Sequence, residues 1–266
     1  MTCLRAAHAH VHAPTTWLFE QPDATSQTSS QLLYGERLVV RETQGDWVNV
    51  TAARDGYSGW LRGQDVSASS APPITSCNIS VPLALIYAQP DFHYAPLAGL
   101  PMHAQVSLAP ESASTGFDQD AQNAAFVKLS DGYFVSQKHI STGPFASDPV
   151  DVAKFFLGAP YAWGGRTING IDCSGLVQMS LWACGIDCPR DSSDQFTQLG
   201  RTLEPGETPR QGDLVFFPGH VGWYLAGGKL LHANATHMRC TIDPLDDVLN
   251  WVARDHKAPL RGFKRL

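Results

Sequence analysis

The chain has 266 residues, 43% of them hydrophobic and 17% charged, a balance that supplies a packed core and excludes disorder throughout. Nineteen basic against 25 acidic side chains give a formal charge of −6, with no run of Lys or Arg. That argues against a general nucleic-acid binder, which needs a basic face to displace phosphate counterions. The longest clean apolar stretches, such as Leu214–Phe217, fall far short of the roughly 20 residues a membrane helix requires.

In chain order, Met1 to His12 carries one Arg and no apolar core of roughly 7–15 residues, so it does not read as a secretory signal. His8, His10 and His12 alternate as metal ligands on one strand face would, but a mobile tail without metal is the expectation. Six cysteines without a CxxC pair suit reduced thiols in the cytoplasm better than a disulfide framework. From Leu32 to Val66, Leu38 and Val40, then Val48 and Val50, alternate with polar neighbours around Gly45-Asp46, which predicts short strands and hairpins. Ser67 to Pro73 reads as a linker. A second β-like segment spans Val81 to Ile140, with Pro82, Pro90, Pro96, Pro101 and Pro110 at strand edges and bends. The two segments echo each other: Val48-Asn-Val50, Asp55-Gly-Tyr57 and Val66 line up with Val127-Lys-Leu129, Asp131-Gly-Tyr133 and Ile140.

Past Ser141 the character changes. Asp148-Pro149 predicts a helix start, with Asp as cap and Pro preset for the first turn. Val152, Phe155 and Phe156 follow at helical spacing, and Gly158 ends the run. A second helix is predicted from Cys173 to Cys184, with Leu176, Val177 and Leu181 on one face. Strands follow at Asp213–Phe217, Val221–Ala226 and Leu230–His232, the last two joined by a two-residue turn at Gly227-Gly228. The fold class expected is α+β.

Cys173 opens its predicted helix, where free backbone N–H groups and the dipole favour an anion. Such a setting lowers a thiol pKa from about 8.5 to roughly 3.5–7.5. The alternative is a buried, inert cysteine. His220 lies 47 residues downstream and His232 a further 12. The hairpin between them can bring both imidazoles to one end of a sheet. A thiol, a base and a polar group orienting that base are what acyl-transfer chemistry on cysteine requires.

Several motifs now stand in one order: Tyr161-Ala-Trp-Gly-Gly, Asp172-Cys-Ser-Gly-Leu-Val, Pro189-Arg-Asp-Ser-Ser-Asp-Gln195, Gly212-Asp-Leu-Val-Phe-Phe, His220-Val-Gly and His232-Ala. The segment that carries them resembles the NlpC-type cell-wall cysteine peptidases, compact relatives of papain. The first β segment, with Tyr57-Ser-Gly-Trp60, resembles a bacterial SH3-like barrel, and the second is a weaker match. The resemblance implies three domains: SH3-like at 1–70, SH3-like at 71–147 and a papain-like catalytic domain at 148–266.

It further implies that Cys173 attacks, His220 is the base, His232 orients it and Tyr161 helps hold the oxyanion. Trp163, Asp172, Ser174, Asp191 and Ser192 match positions lining a pocket for L-Ala-γ-D-Glu. Glu36 and Tyr57 match SH3-like positions that enclose a free substrate amine, to which Glu36 and Asp172 would supply negative charge. The plainer readings are a helix cap for Asp172, packing for Trp163, a solvated edge for Glu36 and barrel core for Tyr57. The expected activity is cleavage of the γ-D-glutamyl–diaminopimelate (or lysine) bond of murein peptides with a free L-Ala, in cytoplasmic recycling. The partner implied is that peptide, with no cofactor, metal, nucleic acid or membrane. A silent wall-binding scaffold and a thiol amidase or acyltransferase are the rivals.

Overall fold

Short runs of alternating polar and apolar residues, broken by glycine turns, build strands through the first half of the chain. The computed structural model describes residues 9–68, 76–113 and 126–266. It divides into two units, Met1–Phe145 and Ala146–Leu266.

The first unit begins with strands β1 (Ala9–Val11), β2 (Thr15–Phe19), β3 (Thr28–Leu33), β4 (Arg37–Gln44), β5 (Trp47–Ala52), β6 (Ser58–Arg62) and β7 (Val66–Ala68). They form one sheet in the order β3-β2-β6-β5-β4-β1-β7. Inward-facing Val11, Leu18, Leu38, Val48, Val50, Leu61 and Val66 make its core, as period-two patterning demands. The N-terminal residues that read as a tail are in part a strand: β1 pairs with β4 on one side and β7 on the other, and His12 Nδ1 lies 3.3 Å from Ser67 Oγ. Three residues are too short a run to show alternation, so pairing partners rather than pattern fix this strand. His8 lies outside the described residues. Of the linker read at Ser67–Pro73, Ser67 and Ala68 belong to β7 and the rest also lies outside them.

The same unit continues with β8 (Ser76–Ile79), β9 (Leu83–Tyr87), β10 (Ala98–Pro101), β11 (Gln105–Ser107), α1 (Pro110–Ala113), β12 (Phe126–Lys128), β13 (Phe134–Ser136) and β14 (Ile140–Ser141). They form sheets β10-β9-β13-β12 and β11-β8-β14 around a separate core that includes Ile79, Leu100, Val106, Val135 and Ile140. The echo in sequence has a counterpart in geometry. Asp55 Oδ1 accepts the Tyr57 N–H and Asp131 Oδ1 the Tyr133 N–H, over Gly56 at φ 75° and Gly132 at φ 92°. A strand, a single 3-10 turn and a second short strand follow in both copies. Tyr34-Gly35 joins the two sets of strands: the Tyr34 carbonyl accepts the Gln105 N–H, and a Cβ on Gly35 would overlap the Gln105 carbonyl.

The second unit opens with α2 (Pro149–Lys154), capped as expected by Asp148 Oδ1 accepting the Val150 N–H at 2.8 Å. The helix stops before Phe155, which is exposed, while Phe156 is buried. The strand pair β15 (Arg166–Thr167) and β16 (Gly170–Ile171) leads into α3 (Cys173–Ala183), then α4 (Ser192–Gln198) and β17 (Arg201–Thr202). After these come β18 (Leu214–Phe217), β19 (His220–Leu225), β20 (Lys229–Asn234), β21 (Arg239–Pro244), α5 (Leu245–Val252) and β22 (Gly262–Arg265). The sheet order is β17-β22-β18-β19-β20-β21, antiparallel throughout. The β19–β20 connection has three residues rather than two, because Leu225 pairs with Lys229.

Helix α3 is buried on every face, packed on α2 and on β19 and β20. A helix so enclosed must satisfy its polar side chains internally. Ser180 Oγ bonds back to the Leu176 carbonyl at 2.7 Å and lies 3.2 Å from the Trp223 indole N–H, which donates to it. Gln178 Nε2 donates to the Cys188 carbonyl. Among the described residues no helix is long and apolar enough to cross a membrane.

Candidate active site

Cys173 is the first residue of α3. Asp172 caps the helix in an extended conformation, its Oδ1 accepting the Gly175 N–H at 2.6 Å. Gly175 is required by approach rather than by flexibility: a Cβ there would sit 2.4 Å from the Gly165 carbonyl oxygen. The small residues of the two motifs thus let the loop before α3 press onto its first turn.

The Cys173 sulfur is buried, and the backbone N–H groups of Val221 and Ser174 act on it to favour the anion. The expected lowering of its pKa is not what this setting produces. Burial pushes the thiol up to about 12 and the Asp172 carboxylate adds to the rise, outweighing the two N–H groups and Arg190. A dipole acts on a charge that first has to be desolvated, and here desolvation wins.

Arg190 clamps the first turn. Its Nη1 donates to Asp172 Oδ1 at 3.0 Å and to Ser174 Oγ at 2.8 Å, and its Nη2 donates to Asp172 Oδ2 at 2.6 Å. The Gly164 N–H also donates to Oδ2, at 2.8 Å. Asp172 is thus paired with Arg190 and tied to the loop by the Gly164 N–H. Gln195 completes the lock, its Nε2 donating to the carbonyls of Ser174 and Pro189.

The histidines lie on adjacent strands. Gly222 faces His232 across the β19–β20 pair, and a Cβ on Gly222 would come within 2.9 Å of the His232 Cβ. Without that Cβ the two rings meet on the diagonal, His220 Nε2 to His232 Nδ1 at 2.7 Å. The row extends one strand further. His232 Nε2 lies 3.0 Å from Asp243 Oδ2 on β21, where Thr241 is the residue paired with His232. His232 is fully buried, whereas His220 keeps part of its edge exposed. Burial, with the neighbouring His232, pulls the His220 pKa down to about 3. Burial also lowers that of His232, against the opposing pull of Asp243. Thiol and imidazole thus rest as neutral groups near pH 7.

Tyr161 is half-buried beside Cys173 and Asp172, and burial followed by these two groups raises its pKa, so the hydroxyl stays a donor. Trp163 is 63% exposed, which removes the packing interpretation and leaves the indole on the surface next to Gly164. Asp191 and Ser192 are half-buried at the start of α4, and the Asp191 side chain does not cap that helix. In the other unit, Glu36 is buried and its Oε2 accepts the Leu33 N–H at 3.1 Å, so it is not a solvated edge residue. Tyr57 packs partly against that unit's core.

Two contributors escaped the sequence reading. Arg190 stands inside the quoted Pro-Arg-Asp motif, but no spacing ties it to Asp172, 18 residues earlier. Asp243 had no local signal, because only the register of β20 against β21 brings it to His232.

Three comparisons bear on this arrangement. Residues 158–253 match the NlpC/P60 family, and residues 18–66 match the bacterial dipeptidyl-peptidase Sh3 domain. A gamma-D-glutamyl-L-lysine dipeptidyl-peptidase of Bacillus subtilis is 33% identical over 228 residues, spanning 78% of this chain and 72% of that protein. A protein of the same name from Bacillus cereus is 27% identical over 247 residues, spanning 83% of this chain and 72% of that one. Among solved structures, an NlpC/P60 family protein from Bacillus cereus superposes with a TM-score of 0.78 at 21% identity, covering 97% of this chain and 99% of the other.

Proposed function

Since the chain belongs to the NlpC/P60 family, we propose that it is a cysteine endopeptidase acting on murein peptides with a free N-terminal L-Ala. The bond cut is the one between γ-D-Glu and the following diamino acid, diaminopimelate or lysine, and the setting is cytoplasmic recycling of such peptides. One observation carries the reading: a thiol at the mouth of a buried helix, acted on by the backbone N–H of Val221, whose sequence neighbour His220 is paired at 2.7 Å with His232.

In this mechanism His220 uses Nε2 for His232, so Nδ1 takes the thiol proton as sulfur attacks the γ-carbonyl carbon of D-Glu. The resulting oxyanion is held by the Cys173 N–H, which has no acceptor within the helix, and by the Tyr161 hydroxyl. The imidazolium then protonates the departing amine of the diamino acid, leaving a thioester on Cys173. Water, deprotonated by His220, hydrolyses the thioester and releases L-Ala-γ-D-Glu. The neutral resting pair makes the proton transfer part of the attack itself. Arg190 fixes Asp172 and Ser174, and through them the sulfur's position. Trp163, Asp191 and Ser192 line the peptide pocket in this proposal.

The test is incubation of the purified chain with L-Ala-γ-D-Glu-diaminopimelate, its lysine counterpart and N-acetylated forms of both, with products read by mass spectrometry. L-Ala-γ-D-Glu from the free peptides alone supports the proposal. Equal turnover of acetylated peptides removes the amine selection, and no cleavage of any removes the activity.

A further inference from the structure

His232 carries two neighbours on one nitrogen, and they make opposite demands. Asp243 Oδ2 is 3.0 Å from His232 Nε2, and a carboxylate there requires a donor. Asn234 Oδ1 accepts the His237 N–H at 2.8 Å, which turns its Nδ2 toward the same His232 nitrogen at 3.2 Å. An amide N–H₂ there requires an acceptor. The two demands select different tautomers of His232, and through the 2.7 Å contact different tautomers of His220.

We infer that Asp243 is a positioning residue that selects the productive tautomer of the histidine pair, against Asn234. With a proton on His232 Nε2 donated to Asp243, His232 Nδ1 accepts from His220 Nε2–H. His220 Nδ1 is then an unprotonated lone pair on the side left for the thiol. With Asn234 in control, each proton moves to the other nitrogen, and His220 presents N–H to the thiol and cannot act as a base. The inference rests on the roles proposed above for Cys173 and His220.

Geometry and charge decide between the two. The Asp243 contact is the shorter, and a hydrogen bond to an ionised acceptor is about twice as strong as a neutral one. Asp243 is held from its other side, where Oδ1 lies 3.4 Å from His237 Nε2, and the His237 ring stacks edge-on with Trp251 of α5. His232 is fully buried, so water does not compete for its nitrogens. When His220 takes the thiol proton, the carboxylate stays ionised and the positive charge stays on His220. The chain of N–H bonds stabilises that charge without a further proton transfer.

The test has two arms. Long-range ¹H–¹⁵N correlation on the resting, ¹⁵N-histidine-labelled protein is expected to show His232 protonated at Nε2 and bare at Nδ1. Protonation at Nδ1 overturns the inference. This arm needs neither a variant nor a substrate. In the kinetic arm, Asp243→Asn lowers kcat by about 10- to 1000-fold, short of the ~10⁴ seen where the lost carboxylate touches the base directly. KM changes by less than about twofold, since no substrate contact is removed, and Asp243→Glu recovers part of the loss. Asp243→Asn with wild-type kcat overturns the inference. A wild-type protein that cleaves no peptide instead defeats the proposed function, and the tautomer measurement still decides the role of Asp243.

Discussion

Replacing Arg190 with Ala removes at least three donated hydrogen bonds, among them two to the Asp172 carboxylate and one to Ser174 Oγ. Arg190 and Asp172 are both buried, with side-chain exposures of 2% and 8%, so the carboxylate loses its counter-charge away from bulk solvent. The carboxylate keeps only the N–H groups of Gly164 and Gly175 and Ser174 Oγ at 3.3 Å. Breaking a buried pair by deleting one partner costs about 3–5 kcal/mol, because the survivor stays charged and desolvated. For a unit of this size that corresponds to a fall in Tm of roughly 10–20 °C. Calorimetry and urea titration of the full chain measure it, with the transition of the second unit as the readout. Arg190→Lys keeps the charge but not the planar fork and falls between. A loss below about 1 kcal/mol, the worth of an exposed pair, would refute the clamp.

The remaining predictions concern the histidine row and the thiol. Gly222→Ala places a Cβ 2.9 Å from the His232 Cβ and the Leu230 side chain, so the rings are driven apart; kcat is expected to fall by about 100-fold, as a displacement near 1 Å does. Full activity in that variant contradicts the diagonal arrangement. His220 binds a proton more readily unfolded than folded, so its contribution to stability is complete above pH 6.5 and is lost as pH falls toward about 3. Thermal melts should show this acid loss in the native chain and a shallower one in His220→Gln; parallel curves would count against a buried neutral imidazole. Alkylation of Cys173 by iodoacetamide, followed by peptide mapping, should accelerate continuously above pH 8 in the free enzyme, since burial raises the thiol pKa to about 12. A plateau between pH 5 and 8 would mean a resting thiolate instead.

What could be read from the sequence were features set by near neighbours. The Asp148-Pro149 cap, the strand runs around Val215 and Val221, and the placing of Cys173 at a helix start depend on residues a few positions apart, and the structure has all three. The echo of Asp55-Gly-Tyr57 in Asp131-Gly-Tyr133 was legible for the same reason, and the structure has the same Asp-to-Tyr N–H contact in both. Strand β1 and the Asp243 contact depend on pairing partners far along the chain, which no local pattern records. The state of the thiol was misjudged because the helix dipole is visible in a sequence and the depth of burial is not. Asp172 was read with two roles, cap and carrier of charge for a substrate. The cap is present, and Arg190, 18 positions away, pairs with the same carboxylate, a partner that no local pattern records.

In the proposed mechanism Cys173 forms a thioester with the γ-carboxyl of D-Glu. This step is tested most directly by mixing the protein with L-Ala-γ-D-Glu-diaminopimelate, quenching in acid within the first turnover and measuring the intact mass, followed by peptide mapping. The expected result is an added L-Ala-γ-D-Glu acyl group on the Cys173 peptide, absent in Cys173→Ala, which also releases no product. Product formed at the wild-type rate by Cys173→Ala, or an acyl group on another residue, would contradict it.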